Sequence, residues 1–195
     1  MEAFLVMVFL ISLSGVMLPG PLFASLLRKG MEDRWAGFKA AVGHSIVEIP
    51  LILIIYFGVA SFMNREMVKA LSGILGGIFL IYLSIPRKGK EREIARNPIL
   101  LGTLLSALNP LFIMWWLTVG LRLITEASSF GIKGIAFFIP THLSTDFIWL
   151  PVVSLFSSRL GKSRVRTVLL VISSLLLLCF GIRFIVISTL SLIHI

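Results

Sequence analysis

The sequence has almost no sulfur chemistry and little charge. One cysteine, Cys179, stands among 195 residues, which excludes an intrachain disulfide framework and a redox pair of the Cys-x-x-Cys type. Acidic residues number nine against eighteen basic ones, and charged residues together make up 14% of the chain, well short of the roughly 25% of a soluble domain. With 57% hydrophobic residues and a mean hydropathy of +1.02, the composition points to lipid as the main solvent. Catalytic signatures are missing too. There is no Gly-x-Ser-x-Gly, no His-Glu-x-x-His and no Walker A run, so neither an enzyme nor ATP drive is expected, and no cofactor. The basic excess does not signal nucleic acid, because it is scattered over short loops instead of gathered on one surface.

What the sequence does have is long apolar runs. Six are long enough to cross about 30 Å of hydrocarbon, which takes about 20 helical residues: residues 3–27, 36–60, 68–85, 99–121, 131–156 and 165–190. The first has no basic stretch before it and runs too far for a signal peptide, so it is read as the first span. The fold class expected is therefore all-α, a polytopic membrane protein of six transmembrane helices. Residues 1–195 are expected to form one membrane domain, with halves at 1–85 and 99–190 and a basic loop at 86–98. Thirteen of the eighteen basic residues, among them Arg28, Arg34, Arg87, Arg92 and Arg159, fall in the loops on one side. The positive-inside rule puts that side in the cytoplasm and both termini outside. The expected location is the inner (cytoplasmic) membrane, with lipid as the surrounding partner.

Proline and glycine interrupt two of these runs. Pro19-Gly20-Pro21 lies in the first span and Asn109-Pro110 in the fourth. Each break leaves backbone groups unpaired, and these must face protein, water or a ligand because lipid offers no partner. Gly73 and Gly77 in the third span are read as a packing face.

Two polar clusters follow the breaks. His44 and Glu48 sit in the second span and His142 and Asp146 in the fifth. Residues four apart share one helix face, and ionisable groups at membrane depth are candidates for function. The other seven acidic residues fall in termini or loops. Each half thus has three spans, a proline break in its first and a histidine with an acid in its second. An odd number of spans turns the second half upside down, so a 3+3 inverted repeat with broken helices is expected, as in many secondary transporters.

Leu18-Pro19-Gly20-Pro21, Arg28 and Lys29, then the stretch from Ala36 through Lys39 to Gly43, resemble the amino-terminal signature of the LysE/RhtB family of amino-acid exporters. The run from Leu100 to Asn109-Pro110 resembles the fourth-helix motif of that family. The resemblance implies export of amino acids or related small metabolites across the inner membrane, driven by an electrochemical gradient, with a homodimer among the arrangements it admits. The chain departs from the family pattern at His44 and Glu48, where many members place a small residue and an aspartate after the glycine, and at Trp115-Trp116, where a phenylalanine-rich run is usual.

For the site, Glu48 and Asp146 are expected to hold the substrate amino group or the driving proton, with His44 and His142 modulating the exchange. Backbone amides around Gly20 and Asn109, beside Pro19, Pro21 and Pro110, are expected to meet the substrate carboxylate. The alternative is a divalent metal-ion exporter with His44, Glu48, His142 and Asp146 as ligands, since two imidazoles and two carboxylates make a transition-metal set. A third possibility is structural: the acids pair with the histidines or with Arg183 to fix the packing.

Overall fold

The computed structural model describes residues 1–58, 66–85, 97–159 and 164–193. Among these, every regular element is a helix: α1 (Glu2–Val16), α2 (Pro21–Lys29), α3 (Ala36–Tyr56), α4 (Glu66–Ser84), α5 (Pro98–Ala107), α6 (Pro110–Trp115), a π-helical turn (Trp116–Gly120), α7 (Leu121–Ser128), α8 (Gly131–Ser158) and α9 (Arg164–Ile193). Most of the basic loop expected at 86–98 lies outside the described residues.

The expected first span is not one rod. Gly20 is extended, with φ −132° and ψ −175°, and Pro21 begins α2, so α1 and α2 meet at a bend of 70°. The cause is local: neither proline supplies an amide donor, and Pro21 suits a first helical position, where that donor has no partner anyway. The fourth span is likewise divided. Asn97-Pro98 opens α5 and Asn109-Pro110 opens α6, and each asparagine accepts hydrogen bonds from amides of the turn it caps. At ten residues, α5 reaches only about 15 Å, roughly half a bilayer.

Residues 122–130, which the expected spans 99–121 and 131–156 leave between them as a loop, are mostly helical, because α7 continues to Ser128. Leu123, Ile124 and Ala127 are buried while Arg122 and Thr125 are exposed, an amphipathic stripe in a short helix. Among the described residues, four helical stretches are long and apolar enough to cross a membrane: Ala36–Tyr56, Pro110–Ser128, Gly131–Ser158 and Ser174–Ser191. The bent pair Glu2–Val16 and Pro21–Lys29 makes five. The expected count of six is not reached by the described residues on this measure.

Packing relies on glycines that let backbones touch. A Cβ at Gly43 would overlap the carbonyl oxygen of Ile99, and one at Gly102 would overlap that of Ala40, so α3 and α5 meet backbone to backbone. Gly37 meets Leu150 and Pro151 of α8 in the same way. Gly77 of α4 and Gly181 of α9 each lie against the carbonyl of the other. Small residues serve in this way where lipid removes the hydrophobic drive between helices.

One apolar cluster gathers Phe4 and Val8 of α1, Ile52 of α3, Trp116 and Phe138. A second joins Ala24, Leu80, Leu105, Leu177 and Phe184 across α2, α4, α5 and α9. A third packs Leu26 and Leu27 against Ala40, Ala41 and Leu150.

The turn between α2 and α3 is closed by charge. Lys39 Nζ lies 2.7 Å from Asp33 Oδ2, and Asp33 Oδ1 accepts a bond from the Trp35 amide at 2.9 Å. Burial raises the Asp33 carboxyl, but the Lys39 bond, the Trp35 amide and the charge of Lys29 outweigh it and hold the group below its ordinary value.

Candidate functional site

The two helices that carry the polar clusters, α3 and α8, face each other, and their clusters merge. In an α-helix, positions four apart stack on one face, and in α3 this brings His44 Nε2 to 3.2 Å from Glu48 Oε1. Across the interface His142 Nε2 lies 3.1 Å from the same oxygen, and Asp146 Oδ1 lies 3.8 Å from His44 Nε2. All four side chains are buried; Glu48 is 1% exposed. Arg183, the other cation considered for these acids, is exposed on α9.

Serines orient both imidazoles. Ser106 of α5 contacts His44 Nδ1, and Ser12 of α1 contacts His142 Nδ1 at 2.6 Å. The Ser106 hydroxyl already donates to the Gly102 carbonyl at 2.7 Å, and it has one proton to give. With that proton given, Ser106 accepts from His44 Nδ1–H. The lone pair of a neutral His44 Nε2 then faces the Glu48 carboxyl at 3.2 Å, and the contact is attractive with a proton between the two atoms, carried as histidinium or as the neutral Glu48 acid. The other Glu48 oxygen, Oε2, is buried and has no hydrogen-bond partner among the described residues.

These groups line a cavity of about 190 Å³, which also takes in Gly20, Asn109, Trp115 and Trp116. At about 30 Å³ for each liquid water, that is room for about six waters, the scale of a small amino acid.

The breaks are largely self-satisfied. Asn109 Oδ1 accepts from the Leu111 amide at 3.0 Å and the Asn109 amide donates to Ser106 O at 3.1 Å. The Gly20 carbonyl accepts from Ala24. Pro19, Gly20, Pro21 and Asn109 thus shape the cavity wall, and Pro110 opens the helix that follows. The cap makes Asn109→Ala a mild substitution. Losing it is expected to cost about 1 kcal/mol, read as a fall in melting temperature of about 2–4 °C in detergent.

Three features carried no signal of their own in the sequence. Ser12 and Ser106 are two hydroxyls among many. The π-helical turn is the third; such turns collect at functional sites. Here it begins at Trp116, whose ring packs over Gly120, where any Cβ would overlap it. That ring lies 5.0 Å from His142, and Trp115 lies 5.5 Å from it. The aromatic departure at Trp115-Trp116 was the available clue.

A family model described as LysE type translocator matches residues 13–188. A Bacillus subtilis (strain 168) protein named "Putative amino acid efflux protein YcgF" is 27% identical over 143 residues, which cover 67% of this chain and 68% of that protein. No solved structure matches.

Proposed function

Because the chain belongs to the LysE-type translocator family, a family of multi-pass membrane transporters, we propose that it exports amino acids or closely related metabolites across the cytoplasmic membrane in exchange for protons. The observation that carries this reading is the meeting of two carboxylates and two imidazoles from α3 and α8 on one cavity. Two carboxylates with two imidazoles suit either a proton or the ammonium of the cargo. Competition between them for Glu48 and Asp146 couples the two fluxes. The name of the Bacillus relative supports an amino acid as the cargo. Near Gly20 and Asn109 the cavity wall is backbone and amide, a surface suited to the cargo carboxylate.

The same reading counts six crossings, with the bent α1–α2 pair as the first and the divided α5–α7 stretch as the fourth, related as 3+3 inverted halves. It places both termini outside and admits a homodimer in the lipid.

The test uses purified protein in liposomes that enclose a pH-sensitive dye, with amino acids added in turn to the outside. A proton flux evoked by particular amino acids, absent from empty liposomes, is the expected result. Silence across the whole panel in well-folded protein overturns the reading.

A further inference from the structure

The cluster has a geometry that cargo exchange alone does not require. A tetrahedral ion with bonds of about 2.0–2.1 Å holds its ligand atoms about 3.3–3.4 Å apart. Two separations between ligand atoms bear on this: 3.2 Å from His44 Nε2 to Glu48 Oε1 and 3.8 Å from His44 Nε2 to Asp146 Oδ1. They lie on either side of the tetrahedral value. The ligand atoms of His44, Glu48 and Asp146 all fall within 4.8 Å of one another.

Two further observations point the same way. Ligating imidazoles are as a rule held at the far nitrogen by an outer hydrogen bond that aims the near one, and here Ser106 does so for His44. Glu48 also keeps its other oxygen, Oε2, buried without a partner among the described residues, and an ion held by both oxygens of this carboxylate would satisfy it.

We infer that His44, Glu48 and Asp146 form a binding site for one divalent transition-metal ion of the zinc and cobalt class, with His142 bonded to Glu48 from outside the ligand set, and that metal and amino-acid cargo exclude one another there. An imidazole nitrogen with two carboxylates suits such ions better than magnesium or calcium, which favour oxygen alone. Mutual exclusion follows because cargo ammonium and metal both need Glu48 and Asp146. The site rests on the cluster geometry; its exclusion of cargo rests on the export reading.

The test is cobalt titration of the purified full chain in detergent, carrying Cys179→Ser and His194→Asn so that neither the thiol nor the third histidine contributes. The expected result is one Co²⁺ per chain with the visible absorption of a tetrahedral nitrogen and oxygen site, bleached by Zn²⁺. His44→Asn is expected to abolish the band. Ser106→Ala keeps all three ligands, and is expected to weaken binding about 10- to 100-fold; it carries the test should the ligand variant fold poorly. An amino acid that evokes proton flux in liposomes is expected to lower cobalt occupancy. No visible band, or unaltered binding in both variants, overturns the metal site whatever the flux assay shows. A band that persists while no amino acid evokes flux overturns the export reading and leaves the metal site standing.

Discussion

Glu48→Gln is expected to abolish amino-acid-evoked proton exchange, with a loss of at least about 100-fold, the equivalent of about 3 kcal/mol of cation binding. The substitution keeps the volume of a side chain that is 1% exposed but removes its charge. Glu48 Oε1 is the one atom on which both imidazoles converge, at 3.1 Å and 3.2 Å. Without the anion a buried cation faces a neutral amide, and losing one partner of a buried pair costs about 3–5 kcal/mol. Asp146→Asn is expected to have a smaller effect, because its oxygen stands off at 3.8 Å from His44.

The measurement is initial flux per folded protein, with folded protein counted by size exclusion. A Glu48→Gln protein that melts earlier yet exchanges at the wild-type rate would show that the cluster only fixes the packing, and would end the coupling argument.

Gly43→Val is expected to deplete folded protein outright. Its Cβ would overlap the Ile99 carbonyl, and a backbone oxygen, unlike the tip of a side chain, has nowhere to rotate. Overpacking a core with side-chain neighbours costs about 1–3 kcal/mol; here α3 and α5 must separate along their length, so the cost is expected to exceed that range. The damage reaches the site directly. His44 follows Gly43, and its partner Ser106 lies one turn beyond Gly102, the other half of the contact. Gly131 is the control. It has φ +65° and open space around a Cβ, so Gly131→Ala is expected to cost only about 1–2 kcal/mol. Thermal melts of the two variants in the same detergent make the comparison, and equal shifts would refute the role given to the α3–α5 contact.

The outline of the molecule was legible because lipid imposes strict rules on sequence. Apolar runs, Pro19-Gly20-Pro21 and Asn109-Pro110 marked helices and breaks, and the four-residue spacing of His44 with Glu48 and of His142 with Asp146 marked two faces. Their meeting at a single oxygen was not legible, since it depends on how α3 and α8 are set against each other. The 70° bend was hidden for a similar reason: two prolines fix where a helix stops but not the direction in which it resumes. Residues 122–130 were misread because Arg122, Thr125 and Glu126 look like a loop to a hydropathy scale, whereas a helix end tolerates them on its exposed side. The π-helical turn at Trp116 had no compositional signature. Serine is so often bonded to its own helix that Ser12 and Ser106 could not be told from their neighbours.

The contacts between α3 and α8 are of two kinds, and their placement has a mechanical result. At Gly37 the helices touch backbone to backbone against Leu150. At Glu48 and His142 they are joined only by side chains. The two points are eleven residues apart along α3, or about 16 Å at the rise of an α-helix. A movement that parts these helices has its fulcrum at Gly37 and its clasp at Glu48, so a tilt of about 10° about the one moves the other by about 3 Å, enough to undo the bond to His142 while the contact with His44, on the same helix, is kept.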